Sequence, residues 1–165
     1  MFPSACFVHI VRDGRDVLAS YRELAAKGFA SKYAPKLPVG AVQVAREWCS
    51  NLNAFQSDTA DLDGGSILEL RYEDLVSDPQ SVAERLCTFL CEPYESQMLD
   101  YWRTDDLSRT EPSEFLEWKA LTRQAPTNRQ AGRHKRDLGQ SDIREFERIA
   151  IPMLARYGYL DAATR

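Results

Sequence analysis

Hydrophobic and polar positions switch between two periods along this chain, and the first switch is the sharpest. Phe7 to Val11 form an apolar run of strand length that stops at a cluster of charges around Gly14. Straight afterwards Val17, Leu18, Tyr21, Leu24 and Ala25 fall on one face of a helix, and Gly28 is placed to end it. Asp13 can cap that helix, with Asp16 three residues on. The segment reads as strand, tight turn and helix. Gly28, Pro35, Pro38 and Gly40 mark residues 27–40 as a loop. From Val42 onward, Ala45, Cys49, Leu52 and Phe55 keep helical spacing with Trp48 at the margin, which predicts a core helix. Asp61 to Gly65 is turn chemistry, and Ile67 to Leu70 reads as a short strand. A helix feeding a second strand is half of a βαβ unit, so the two strands are expected side by side and parallel.

Pro79 behind Asp78 opens another helix, whose buried face is Val82, Leu86, Phe89 and Leu90. A last helix is expected from a Ser141 cap through Ile143, Phe146 and Ile149 or Ala150 to Tyr157, ending at Gly158. Pro152 should kink or restart it. Residues 92–118 are acidic and turn-rich, and Trp102, Phe115 and Trp118 are expected to pack that excursion onto the domain.

A helix starting just past a buried strand offers free backbone N–H groups and the positive end of its dipole, which favours an anion such as phosphate. Arg12 falls at the strand's carboxyl end and Ser20 about two turns into the helix, so a planar fork and a hydroxyl can converge on one phosphate. The same stretch has a plainer reading, in which Arg12, Asp13, Arg15 and Asp16 form a solvated, self-paired turn. Tyr72 follows the second strand. Ligands of open parallel sheets bind outside the carboxyl ends of the strands, so Arg12 and Tyr72 are expected to face one crevice, although Tyr72 also reads as a half-buried structural tyrosine.

At 165 residues the chain is one domain by length, able to bury roughly 68–70% of its extended surface. The 44% hydrophobic and 28% charged content is that of an ordinary globular protein, and no run of 18 apolar residues is present to span a membrane. The first residues lack a basic region followed by an apolar stretch, so no secretory signal is read and a cytoplasmic location is expected. Cys6, Cys49, Cys87 and Cys91 have no CxxC spacing, and His9 and His134 are the two histidines, so no metal is expected. The cysteines read as buried free thiols of a reducing compartment, His9 as a core histidine and His134 as an exposed one.

A net charge of −4 argues against a general nucleic-acid binder, but the charge is uneven. Residues 58–117 hold sixteen acidic and four basic side chains, whereas residues 118–136 hold Lys119, Arg123, Arg129, Arg133, Lys135 and Arg136 and no acid. A short basic run in an acidic protein suits a compact polyanion, such as a nucleotide with phosphates at two positions.

Three segments carry a family resemblance: Phe2-Pro3 with Phe7 to Val17 and Ser20, Leu70 to Pro79, and Gly132 to Leu138. In that order they resemble the conserved segments of sulfotransferases that use 3′-phosphoadenosine 5′-phosphosulfate (PAPS). The resemblance implies an α/β fold, a P-loop-kinase-like parallel sheet flanked by helices and incomplete at the N-terminus, with residues 1–165 as a single partial sulfotransferase domain. It implies that Arg12 and Ser20 hold the 3′-phosphate of PAPS, that Tyr72 lies beside the adenine, and that Arg133, followed by Arg129 and Lys135, closes over the phosphate. His134 stands where many relatives have tryptophan. Residues 27–40 lie near the segment that covers the acceptor, which would be a hydroxyl or amine on a small molecule, carbohydrate or protein.

Sulfuryl transfer needs charge stabilised on the leaving phosphate and a proton removed from the acceptor. In the family the phosphate loop with its lysine and the general base both precede the Arg12 segment. No GxxxxGK[ST] pattern occurs here, so no catalytic residue is assigned and a P-loop kinase is disfavoured as well. The expectation is the C-terminal, nucleotide-binding part of a sulfotransferase. The alternative is a catalytically inactive truncated relative that only binds nucleotide or a partner protein. Unpaired strand edges and exposed apolar surface predict self-association in either case.

Overall fold

The computed structural model describes residues 5–28, 36–103 and 124–160. Phe2, Pro3, residues 29–35 of the first loop, Phe115, Trp118, Lys119 and Arg123 lie outside them. Strand β1 spans Phe7–Val11 and β2 spans Ile67–Arg71. They pair in parallel, Phe7 opposite Ile67 and Val11 opposite Arg71. Helix α1, Gly14–Lys27, follows β1 directly, and the Asp13 side chain accepts the Arg15 backbone N–H as its cap. Gly28 ends it at φ +61°, a left-handed value that glycine adopts without steric cost. Helix α2, Ala41–Asp58, returns to β2. A single turn, α3, at Tyr72–Ser77 leads to α4 at Pro79–Leu90, capped by Asp78 with proline at its start. The basic segment forms one 3₁₀ turn, Asn128–Gln130, and a single helical turn α5, His134–Asp137. Helix α6, Gln140–Arg156, closes the described chain.

Alternation along β1 sends its side chains to opposite faces of the sheet. On one face Val11 joins the main core, where Leu18 of α1, Val44 and Ala45 of α2, and Phe146, Ala150 and Leu154 of α6 are buried almost completely. His9 lies on this side, stacked on Phe55 with ring centroids 3.7 Å apart and its Nδ1 3.1 Å from Glu69 Oε2. On the other face α4 covers β2, and Val82 packs on Leu68 and Leu70. Their register partners Val8 and Ile10 stay exposed, at 39% and 51%.

Several expectations need correction. Helix α6 begins at Gln140 behind Gly139, with no side-chain cap, and Ser141 is already inside it. Nor does Pro152 restart the helix, which runs on through it. Pro152 and Arg148, whose carbonyl loses its donor, are both exposed, so water can take that bond while buried Ala150 and Leu154 hold the flanks. All four cysteines are free, yet only Cys87 is buried. Cys6 precedes the strand, and Cys91 takes the left-handed position (φ 58°) just past α4, where the Glu92 N–H bonds back to the Cys87 carbonyl and fixes the turn outward.

Candidate functional site

The turn after β1 is built around a glycine that a larger residue could replace only by displacing its neighbours. A Cβ on Gly14 would lie 2.5 Å from the Phe146 ring and 2.6 Å from Trp48, so the start of α1 can touch both aromatics only without a side chain. Trp48 in turn donates its indole N–H to the Arg12 carbonyl at 3.1 Å. Arg15 then points inward. Its guanidinium meets Asp13 at 2.7 Å and Glu147 at 2.5 Å, and donates to the Tyr159 carbonyl at 2.6 Å. The Asp13 N–H bonds Glu73 at 3.0 Å, and the Tyr159 hydroxyl lies 2.9 Å from the same carboxylate. Burial works to lower the Arg15 pKa, but its bonds and charge pairs with Asp13 and Glu147 outweigh it, so the group stays charged. Asp13 and Arg15 are buried, at 4% and 7% exposure, which replaces the solvated turn with an internal ion pair.

Asp16, fully buried, reaches in the opposite direction along the chain. Its carboxylate accepts the backbone N–H groups of Gly132 at 2.6 Å and His134 at 2.9 Å, and lies 2.6 Å from His134 Nδ1. A carboxylate only accepts, so Nδ1 carries the proton in that contact. Burial pushes the Asp16 carboxyl up, but the His134 side-chain and backbone bonds, the His134 charge and the Gly132 N–H together hold it below its ordinary value. His134 is therefore buried, 3% exposed, and not on the surface as expected from the sequence. Asp16 takes it inside because three donors from one loop meet a single carboxylate there.

Arg12 has a different environment. Its Nη2 donates to the Gln130 carbonyl at 3.1 Å, and its guanidinium carbon sits 4.7 Å from the centre of the Tyr72 ring. Its Nε is buried with no partner. Two cavities adjoin these contacts. One, of about 430 Å³, is mainly apolar and is lined by Tyr72, Leu75, Val76, Ala83, Met98 and Pro126 among others. The second, of about 400 Å³, is polar and is walled by Glu23, Arg129, Arg133 and Arg136. Gln124, Thr127 and Gln130 line both.

Arg133 is 7% exposed, and each guanidinium nitrogen has a partner: Glu23 at 2.7 Å, Asp137 at 2.9 Å and Gln130 Oε1 at 2.7 Å. Burial lowers its pKa, and the bonds to Glu23 and Asp137 raise it further than burial lowers it. Of the six residues expected at the site, Tyr72 lines the apolar cavity and Arg129 and Arg133 the polar one, while Arg12 lines neither and joins them through Tyr72 and Gln130. Ser20 is half-buried on α1 and Lys135 exposed on α5, and neither lines these two cavities. Sequence reasoning passed over Gln130, Glu23 and the Asp16–His134 contact. Glu23 carried a usable signal, because it follows Ser20 by three residues and shares its helix face. Asp16 and His134 are 118 residues apart and carried none. Among the described residues, no group of three or more His, Cys, Asp or Glu could hold a metal ion, and no helix is long and apolar enough to cross a membrane.

The fold has a counterpart among solved structures. The fold matches the Sulfotransferase Domain from the Curacin Biosynthetic Pathway with a TM-score of 0.65 and 23% identity, over 95% of this chain and 54% of that one. The sequence pattern of the Sulfotransferase family matches residues 1–96, more than half of the chain, and the chain belongs to that family. An uncharacterized protein of Aquifex aeolicus (strain VF5) is 28% identical over 104 residues, 63% of this chain and 13% of that protein. The chain spans about half of the solved domain and a small part of the Aquifex relative.

Proposed function

We propose that this chain recognises the adenine and 3′-phosphate of PAPS, as part of a sulfotransferase that passes the sulfuryl group to a hydroxyl or amine acceptor on a small molecule, carbohydrate or protein. Arg12 carries the reading. Its Nε is buried and unpartnered, and its guanidinium bridges Tyr72, on the apolar cavity, and Gln130, on both cavities. A buried donor without an acceptor costs about 1–3 kcal/mol, and a phosphate oxygen would recover that. The apolar cavity beside Tyr72 suits a planar base. The arginine-lined cavity suits the phosphate, with Arg129 and Arg133 at its wall, whereas Ser20 and Lys135 line neither cavity and would have to reach the anion from its margin. Bound there, the nucleotide supplies an activated sulfuryl group, while the residues of this chain hold the base and neutralise the 3′-phosphate.

A second reading, binding of nucleotide or a partner protein without transfer, rests on the same Arg12, Tyr72 and Arg133 contacts. Titration calorimetry tests what both nucleotide readings share. One charge-assisted hydrogen bond is worth about 1.5–3 kcal/mol, so adenosine 3′,5′-bisphosphate should bind about ten-fold or more tightly than adenosine 5′-monophosphate. Equal affinities would overturn the assignment of the 3′-phosphate. A radiolabelled sulfate-transfer assay with phenol and sugar acceptors then separates transfer from binding alone.

A further inference from the structure

We infer that Glu23 is a resident counter-ion of the arginine-lined cavity, an internal carboxylate that an incoming phosphate displaces from Arg133; this rests on the nucleotide reading given above. The wall of that cavity carries Arg129, Arg133 and Arg136 and a single carboxylate, Glu23. Glu23 Oε2 sits 2.7 Å from Arg133 Nη2, where an anion bound by that guanidinium would place one of its own oxygens. Two anions so close repel one another, so Glu23 and a phosphate compete for the same donor.

Three features fit a contact made to be broken. First, Arg133 does not need Glu23 to hold its position. Its Nε and Nη1 are fixed by Asp137 and by Gln130 from its own loop. Second, the Glu23 side chain is 38% exposed against 8% for Arg133, so the carboxylate can swing into water while the guanidinium stays. Third, Glu23 already has another partner. Its Oε1 accepts from Lys27 at 2.5 Å, one turn along the same helix, and that pair survives when Arg133 is given up. Glu23 therefore keeps a buried arginine satisfied when the cavity holds no anion, and it lowers the affinity of any anion that enters.

The test is calorimetric titration of wild type, Glu23→Gln and Glu23→Ala with adenosine 3′,5′-bisphosphate, adenosine 5′-monophosphate and inorganic pyrophosphate, with thermal melts in parallel. Both variants should fold, because the side chain is partly exposed and alanine suits a helix. The expected result is bisphosphate binding tighter by about five-fold or more in both variants, with the monophosphate changed by less than two-fold. Unchanged or weaker bisphosphate binding in the variants would overturn the counter-ion role. The nucleotide reading would still stand if wild type preferred bisphosphate to monophosphate. Failure of wild type and both variants to bind bisphosphate or pyrophosphate would overturn both.

Discussion

The two arginines of the turn after β1 lie three residues apart and are used in opposite ways. On the inner side, Arg15 is enclosed with Asp13, Glu147 and the Tyr159 carbonyl, and beside it Asp16 closes on Gly132 and His134. Every charge there has an internal partner, so this region is architecture: it fastens α1 to α6 and to the basic loop. On the outer side, Arg12 keeps a donor without an acceptor and faces residues that line two cavities. A buried ion pair that is complete stabilises little, yet removing one half of it is costly. An incomplete group is where a ligand can gain. The difference predicts that substitutions inside should destabilise the protein, and that loss of Arg12 outside should leave it folded but weaker toward the 3′-phosphate.

The largest effect is expected from Asp16→Ala, which strands His134 and two loop N–H groups in the interior. Chemical denaturation should show a loss of about 3–5 kcal/mol, and a loss below about 1 kcal/mol would place the charge pair in the same class as an exposed one. Gly14→Ala should follow, at about 1–3 kcal/mol, because its methyl must displace Phe146 or Trp48. Acid should act on the inner region next. The folded Asp16 carboxyl titrates below its ordinary value, so its stabilising contribution is present above the unfolded value of about 3.9 and is lost as pH falls below it. Asp16→Asn should flatten that acid limb of the stability profile, and a limb of unchanged slope would assign it to other carboxylates. Smallest should be Ile10→Lys on the open side of β1, at about 0.5 kcal/mol or less. It should nevertheless shift sedimentation toward monomer if Val8 and Ile10 mediate self-association, and an unchanged profile would exclude that face.

The parts of this molecule that local chemistry specifies were legible beforehand. The apolar run Phe7–Val11, the Asp13 cap, Gly28 at the end of α1, and Asp78 with Pro79 at the head of α4 each announce an element within a few residues. The parallel pairing followed from the connection between strands. What was not legible depends on distant partners. Gly14 looks like any turn glycine until Trp48 and Phe146 arrive against it, and His134 looks like a surface residue until Asp16 claims it. The site divides along the same line. Arg12 and Tyr72 were placed by the ends of two adjacent strands, whereas the polar cavity depends on how the 124–136 segment docks on α1, which Asp16 decides.

The contrast between the two arginines comes down to one comparison. Arg12→Ala should melt within about 0.5 kcal/mol of wild type, as a side chain making few internal bonds does. In calorimetric titration it should weaken adenosine 3′,5′-bisphosphate by about ten-fold or more while leaving adenosine 5′-monophosphate nearly unchanged. Equal losses for the two nucleotides, or a protein that unfolds, would show that Arg12 belongs with Arg15 to the architecture and does not read the 3′-phosphate.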